Sequence, residues 1–436
     1  MKRKRVLIIT YYWTPAGGGG VQRWVKFVKY LRDFGWEPVI YTVSNGDYPI
    51  LDATLEKEVP SDIEIIKTPI WEPYDLYKKL TGKKKGEKID ANFLSEGKKW
   101  NWKEKIGVFV RGNFFIPDAR CFWIKPSIKF LESYLTQNKV DAIISTGPPH
   151  TCHLIALGIK KKFNFPWIVD YRDQWTQIDF YYELNLTWLA DRRHKQLEKN
   201  VLDNCDVITP IGKTMAEDLK LISKTKSVVI TNGYDEEDKQ NNALVLDEKF
   251  TITYIGTMNN ARDPILLWKV LSDLKKDNHP LINDLEVKLV GKPEVSVKNS
   301  VEHFGLTSYV NFVGYVSHAE ALSYQNSTQI LLLVVNNTWN NKSIITGKIF
   351  EYLASNRPIV CIGPKDGDAA EIINKSEAGV VVDYSDEKLM RDTLLSWYKL
   401  YKQNNLYSSS KAIAQFSRRE LTKTLSELLN SFSKTQ

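Results

Sequence analysis

The chain has 436 residues, with 60 Lys and Arg against 52 Asp and Glu and a formal net charge of +8. That length predicts two domains with cores of their own, and four scattered cysteines without pairing or metal spacing argue against a disulfide scaffold or a structural zinc site. No apolar run approaches the roughly eighteen residues needed to span a bilayer, so a cytoplasmic chain is expected.

The N-terminal "MKRKRVLIIT" has the basic start of a signal peptide, but its apolar run breaks at Tyr11 to Pro15 and reads instead as a strand, Val6 to Thr10. Four glycines follow, Gly17, Gly18, Gly19 and Gly20. Val21, Trp24, Val25, Val28 and Leu31 then recur at helical spacing with Arg23, Lys26, Lys29 and Arg32 between them, predicting an amphipathic helix that Gly35 ends. "EPVIYTV" supplies a second strand and completes one right-handed crossover. The glycines thus fall outside the carboxyl end of a strand and before a helix N-terminus, where backbone amides can face an anion or a sugar hydroxyl. They match neither the dinucleotide fingerprint nor a P-loop, and a flexible turn is the plain alternative.

The positive excess is local. Residues 1–130 hold 24 Lys and Arg against 15 Asp and Glu, and the rest of the chain is close to neutral. The densest stretch is an insertion at about 71–125, with "YKKLTGKKKGEK", including Lys83, Lys84 and Lys85, and then Trp100, Trp102, Phe109, Phe114 and Phe115 among Lys and Arg. Basic residues mixed with large aromatics suit an anionic membrane surface, and a solvated lysine loop beside a core helix is the equal alternative. Without a binding fingerprint, no nucleic-acid partner is expected.

Further along, "VDAIIST", "WIVDYRD", "CDVITP" and "SVVITN" read as strands of the first half, and "FTITYIG", "LEVKLVG", "VNFVGYV", "ILLLVV", "PIVCIG" and "GVVVDY" as strands of the second, separated by helical segments. The pattern predicts two consecutive Rossmann-like doubly wound α/β domains, residues 1–236 and 240–404, joined within the polar "YDEEDKQNNALVLDEK". Residues 405–436 form a C-terminal helical extension expected to pack back toward the first domain.

Taken together, "YYWTPAGGGGVQR", "STGPPHTCHL", "PWIVDYRDQW", "VITNGYD", "YIGTMNNARDP", "VNFVGYVSHAEALSY" and "GKIFEYLASNRPIV" resemble, in order, the motifs of family-4 type glycosyltransferases of the GT-B fold. The resemblance implies two domains facing a cleft, and retaining transfer of a hexosyl or N-acetylhexosaminyl group from a nucleotide sugar to a glycan or lipid-linked acceptor. It also implies polysaccharide assembly, no cofactor beyond the donor substrate, no metal, and a cytoplasmic place at the inner membrane face. A non-catalytic sugar- or lipid-binding protein and a sugar nucleotide epimerase stay open on the same fold.

For the donor side, the resemblance makes Glu351 the last Glu of the family's Glu-x7-Glu motif, bound to ribose hydroxyls. Lys348 and Arg262 are the candidates for the diphosphate, with Gly256, Thr257 and Thr346 beside them. Thr257 stands where relatives carry Arg and Arg262 where many carry Lys, while Ser343 replaces the family's first Glu. Gly367, Asp368 and Glu371 in "GPKDGDAAEII" are expected at the donor sugar. Asp366 and Asp368 form an Asp-x-Asp pattern, but two carboxylates make a poor magnesium cage. On the acceptor side the catalytic candidates are His150, which follows Pro148-Pro149, and Asp170, Arg172 and Asp173 after the next strand. Each has a bland reading as a cap, core group or structural ion pair.

Overall fold

The computed structural model describes residues 3–72, 102–238, 245–408 and 410–432. The lysine run Lys83 to Lys85 and Trp100 lie outside the described residues, as does the side chain of Trp102. Two compact units form, residues 1–232 with 418–436, and residues 233–417.

The first unit contains β1 (Lys4–Ile9), β2 (Trp36–Val43), β3 (Glu64–Thr68), β4 (Ala142–Gly147), β5 (Trp167–Tyr171) and β6 (Val207–Pro210), with helices α1 (Gly19–Leu31), α2 (Trp102–Phe114), α3 (Ile124–Gln137), α4 (Thr151–Phe163), α5 (Trp188–Asn204) and α6 (Lys213–Lys220). Its sheet is parallel, in the order β3-β2-β1-β4-β5-β6. The second unit contains β7 (Phe250–Ile255), β8 (Leu285–Val290), β9 (Val310–Gly314), β10 (Ile330–Val334), β11 (Ile359–Ile362) and β12 (Gly379–Val382). Its helices are α7 (Ile265–Lys276), α8 (Leu281–Asp284), α9 (Val295–His303), α10 (His318–Ser327), α11 (Lys348–Ala354), α12 (Asp368–Lys375) and α13 (Glu387–Lys402). Its parallel order β12-β11-β10-β7-β8-β9 is the first order repeated, so each sheet reverses direction once, between β1 and β4 and between β7 and β10. These reversals are where open α/β sheets bind ligands.

Period-two alternation explains why β1 is apolar throughout: Val6 and Ile8 face a layer with α1, while Leu7 and Ile9 face a second layer that includes α3 and α4. The last helix, α14 (Arg418–Ser431), returns to the first unit and lays Leu421, Leu425 and Leu429 into the core against α1. Of the two C-terminal helical segments, only this one packs there. α13 stays on its own unit beside α7.

Three local expectations change. "SVVITN" is not a strand, although it follows the edge of β6 with Val228 N–H donating to Ile208 O at 2.9 Å and Ile230 N–H to Pro210 O at 3.0 Å. "EIIKT" is a strand that the sequence reading passed over, because its alternation is short and half exposed. Arg23 and Lys26 do not lie on a solvent face of α1. Both are buried, Arg23 against Asp170 and Lys26 against Glu58.

Candidate functional sites at the carboxyl edges of the two sheets

In the first unit, Asp170 at the end of β5 is buried and collects hydrogen bonds from four donors: Arg23 Nη2 at 2.9 Å, Trp24 Nε1 at 2.8 Å, Thr146 Oγ1 at 2.8 Å and Thr209 Oγ1 at 3.3 Å. Arg23 also donates to the backbone oxygens of Ile230 at 2.9 Å and Thr231 at 2.5 Å, tying the end of this unit to its sheet. A carboxylate so fully occupied positions its neighbours and has little capacity left for a substrate. The reading of Asp170 as a reacting group therefore has no geometric support.

Arg172 is fixed by Nε to Thr146 Oγ1 at 2.9 Å and by Nη2 to Pro148 O at 2.7 Å. This answers what the last glycine accommodates: a Cβ on Gly20 would come within 1.5 Å of Arg172 Nη1, so the glycine leaves room for a guanidinium. Gly18 sits at φ 102°, a conformation that favours glycine, while the space over Gly18 and Gly19 is open. Gly17 packs on Ile50 and Asp52. Only the middle of the glycine run thus retains room for a visitor. Asp173 is exposed as a residue, yet its carboxyl has enough protein around it that loss of bulk water raises its pKa, with the Arg172 guanidinium opposing and Asp179 and Asp170 adding to the rise.

His150 lies flat on Trp175, with ring centroids 4.6 Å apart and planes within 4°. Burial lowers its pKa to about 4, against the partial support of Asp118, so the ring is neutral at pH 7. Its buried Nδ1 has no hydrogen-bond partner among the described residues. Beneath it, Trp167 Nε1 donates to Ser145 Oγ at 2.9 Å, and Ser145 Oγ and His153 Nδ1 share a hydrogen bond at 2.8 Å. Trp175 Nε1 in turn donates to His194 Nδ1 at 3.1 Å. Asp118, absent from the sequence candidates, caps α4 by accepting from Thr151 N–H at 3.0 Å and Thr151 Oγ1 at 2.8 Å.

The second unit presents cations. Lys348, at the start of α11, donates from Nζ to Tyr254 Oη at 2.8 Å and lies 4.0 Å from the Tyr254 ring centroid. Tyr254 passes its own proton to Thr257 O at 2.8 Å, which fixes the lone pairs the lysine uses. Burial lowers the Lys348 pKa, while Tyr254 and Glu351 favour its charged form. Gly256 sits at φ 117°, and a Cβ there would meet Lys348 Cε and Nζ at 2.8 Å. Arg262 donates from Nε to Asn336 Oδ1 at 2.5 Å. Its neighbour Asp263 is anchored by Trp268 Nε1 at 2.7 Å and Ser300 Oγ at 2.5 Å, so the loop that carries Arg262 is fixed from behind.

Thr346 holds a buried hydroxyl without a partner among the described residues. Glu351 is half-buried on α11, Ser343 is buried with its hydroxyl on Asn340 O at 2.9 Å, and Thr257 is exposed. The Asp-x-Asp pattern separates: Asp366 is exposed and paired with Lys342 at 2.6 Å, whereas Asp368 is buried at the first position of α12. Gly367 precedes it, in a place where a Cβ would crowd Lys342 O at 3.2 Å, and Glu371 pairs with Lys375 at 2.5 Å. Tyr254, Asn336 and Asp263 are the residues of this edge that sequence reasoning missed. A tyrosine two residues before a glycine and an asparagine after a strand carry no signal alone.

Residues 249–399 match the family described as glycosyl transferases group 1. That match lies within the second unit, and it bears out the resemblance read from the motifs. Over the whole chain the fold is that of GT-B glycosyltransferases. Sucrose-phosphate synthase from Thermosynechococcus elongatus is 14% identical with TM-score 0.64, covering 100% of both chains. HepE of Anabaena, in complex with UDP-glucose, is 12% identical with TM-score 0.61 over 98% of this chain and 100% of that one. WaaG, a glycosyltransferase involved in lipopolysaccharide biosynthesis, is 12% identical with TM-score 0.55 over 97% and 99%. No curated protein sequence matches. Among the described residues no helix is long and apolar enough to cross a membrane.

Proposed function

We propose that this protein is a retaining glycosyltransferase that moves a hexosyl or N-acetylhexosaminyl group from a nucleoside diphosphate sugar to an acceptor hydroxyl in glycan assembly. One observation carries the reading: Lys348 and Arg262 are both held at the sheet reversal of the second unit by neutral partners, a phenol and an amide. A cation fixed by a neutral group keeps its full charge for an incoming anion, and a diphosphate leaving group is such an anion.

In this reading Lys348 and Arg262 stabilise the departing diphosphate, and the unpartnered Thr346 hydroxyl donates to a phosphate oxygen. Glu351 binds the ribose hydroxyls, while Gly256 keeps the approach open and Thr257 lies alongside. Gly367, Asp368 and Glu371 hold the donor sugar. In the first unit, Gly18 and Gly19 leave space beside backbone amides, and His150, Asp173 and Arg172 orient the acceptor. No metal enters the mechanism. Because HepE was solved with UDP-glucose, a UDP-hexose is the first donor to try. The test is a thermal-shift screen of nucleoside diphosphates and their sugars, followed by product analysis with and without acceptor. A ligand-dependent rise in melting temperature and a new glycosidic product support the proposal. Binding without transfer would favour a non-catalytic sugar-binding protein, and conversion of the donor sugar without acceptor would favour an epimerase.

A further inference from the structure

The second unit has a cavity at the edge of its sheet opposite the one that carries Lys348 and Arg262. Its walls are the residues just before β7 and β10, and the end of α13 with the turn that follows it, and its volume is about 320 Å³. That volume lies at the small end of the roughly 300 to 1,000 Å³ found for ligand sites. The walls are fixed by hydrogen bonds of their own. Gln329 donates from Nε2 to Asp247 O at 2.8 Å and from its backbone N–H to Thr251 Oγ1 at 2.9 Å. Asp247 N–H donates to Ser327 O at 2.8 Å, and Tyr401 Oη donates to Glu248 O. Behind the wall, buried Arg357 donates from Nη2 to Gln329 O at 2.9 Å, Gln329 Oε1 at 3.2 Å and Leu406 O at 3.0 Å. The cavity is therefore preformed.

Charge and polarity narrow the ligand. Asp247 is paired with Lys288 at 2.9 Å and Lys402 with Asp284 at 3.0 Å. The Glu248 carboxylate has no partner among the described residues, and it is offset by Arg357, whose pKa burial lowers to about 10 against the support of Asp247, so that it stays charged. The lining thus has no net charge with which to hold an ion, and among the described residues no three metal-binding side chains converge. What it offers is mixed. The Tyr401 ring, Leu246 and Leu406 are apolar surface, the Glu248 carboxylate accepts, and the Asn404 amide, which makes no hydrogen bond among the described residues, both donates and accepts. An apolar ligand would strip water from those polar groups and replace none of it. A sugar ring brings a C–H face for the first set and hydroxyls for the second. Val245 and Tyr407, next in sequence to Leu246 and Leu406, are 84% and 66% exposed and extend the apolar and aromatic surface for a longer glycan.

We propose that this cavity is a second carbohydrate site, which holds one or two neutral sugar units of a glycan chain. The kind of chain rests on the glycosyltransferase reading, and the choice of a sugar rests on the lining residues. β7 is six residues long and puts roughly 20 Å between the two edges of the sheet, so a single sugar cannot span both sites. A long glycan held here would keep its free end at high local concentration beside the enzyme.

The test uses the full chain and neutral hexasaccharides of glucose, galactose and N-acetylglucosamine, read by saturation-transfer NMR and calorimetry. At least one of them is expected to bind, with no displacement by UDP, inorganic phosphate or magnesium. The double variant Glu248→Ala, Asn404→Gly should lose about tenfold or more of that affinity, since two hydrogen-bonding groups are removed. Glycine suits position 404, where φ is 53°. Leu246→Trp, which narrows the cavity without removing a hydrogen bond, should lose binding in the same way. Unchanged melting temperatures and an unchanged response to UDP show that the variants are folded and that the donor edge is a separate matter. Sugar binding lost in the variants supports the cavity even where the protein takes no nucleotide, so the two readings fail separately. No hexasaccharide bound by the parent, equal binding by the double variant, or displacement by UDP, phosphate or magnesium overturns the proposal.

Discussion

In the first unit Asp170 receives hydrogen bonds from Arg23, Trp24, Thr146 and Thr209, whereas in the second Lys348 and Arg262 hang on single neutral groups and Thr346 keeps a buried hydroxyl unpartnered among the described residues. Both arrangements stand at the carboxyl edge of a sheet, and the two sheets share one strand order. The difference separates two uses of polar residues at a sheet reversal. A saturated network fixes backbone geometry and offers little to a ligand. An unsaturated one keeps hydrogen-bonding capacity and positive charge that a ligand can complete.

The largest expected effect breaks the saturated side. Asp170→Ala leaves the Arg23 guanidinium buried without its counter-ion and takes the acceptor from Trp24 and Thr146, and removing one partner of a buried pair costs about 3 to 5 kcal/mol. Urea unfolding of the variant should show the loss. Lys348→Met, its counterpart in the second unit, should melt close to the parent, because a desolvated ammonium held by a phenol loses little when replaced by an apolar chain. Equal destabilisation by the two variants would erase the contrast.

Next comes the acid response of the first unit. His150 has a folded pKa of about 4 against an ordinary 6.5, so the unfolded chain binds the proton first. Its contribution to stability is complete above about pH 6.5, falls as the pH drops from there to about 4, and is level below; its size is on the order of 3 kcal/mol. His153 and His194, also shifted down by burial, act in the same direction. His150→Phe keeps the stack on Trp175 and removes one titrating group, so the plot of unfolding free energy against pH should flatten between 6.5 and 4. A curve parallel to the parent's would mean that His150 is solvated.

On the unsaturated side, Arg262→Ala, Lys348→Met and Glu351→Ala should each weaken nucleoside diphosphate binding by roughly ten- to a hundredfold, the equivalent of about 1.5 to 3 kcal/mol for a charge-assisted contact. Calorimetric titration of the folded variants reads this directly. Unchanged affinity in all three would remove the donor site from this edge.

How much of this was legible in the sequence follows from the range of the interactions. All six strands of the second half were visible, because buried parallel strands are short apolar runs between turn signals. β3 was not, since Glu64 and Lys67 leave its apolar run only two residues long. The glycine run showed where a backbone is approached, but not that Gly20 yields to Arg172, a residue 152 positions away. Arg23 read as a polar face of α1 because the groups that bury it, Asp170 and the carbonyls of Ile230 and Thr231, lie 147 to 208 positions further along the chain. Asp170 appeared as a candidate within a motif, yet its four donors come from positions 23, 24, 146 and 209, which no local pattern joins. Residue types at a sheet edge can be read from sequence, and their hydrogen-bond saturation cannot.

The smallest expected effect sharpens the comparison by testing a pair of carboxylates on the unsaturated side. Asp366 and Asp368 are two residues apart, but the first is solvent-exposed and neutralised by Lys342, and the second is buried at the start of α12. The lysine holds the Asp366 carboxyl below its ordinary pKa, so it is ionised at neutral pH and already has a cation of its own. A divalent ion would have to displace that lysine and find several more oxygens, and among the described residues no three acidic, histidine or cysteine side chains converge as ligands. Asp366→Asn should therefore leave melting temperature and turnover unaltered within measurement, and activity should persist in excess EDTA. Complete loss in EDTA, restored by magnesium or manganese in the parent but at no metal concentration in the Asp366→Asn variant, would turn this loop from a bystander into a metal site. The positive charge assigned to Lys348 and Arg262 would then be the lesser part of the donor site.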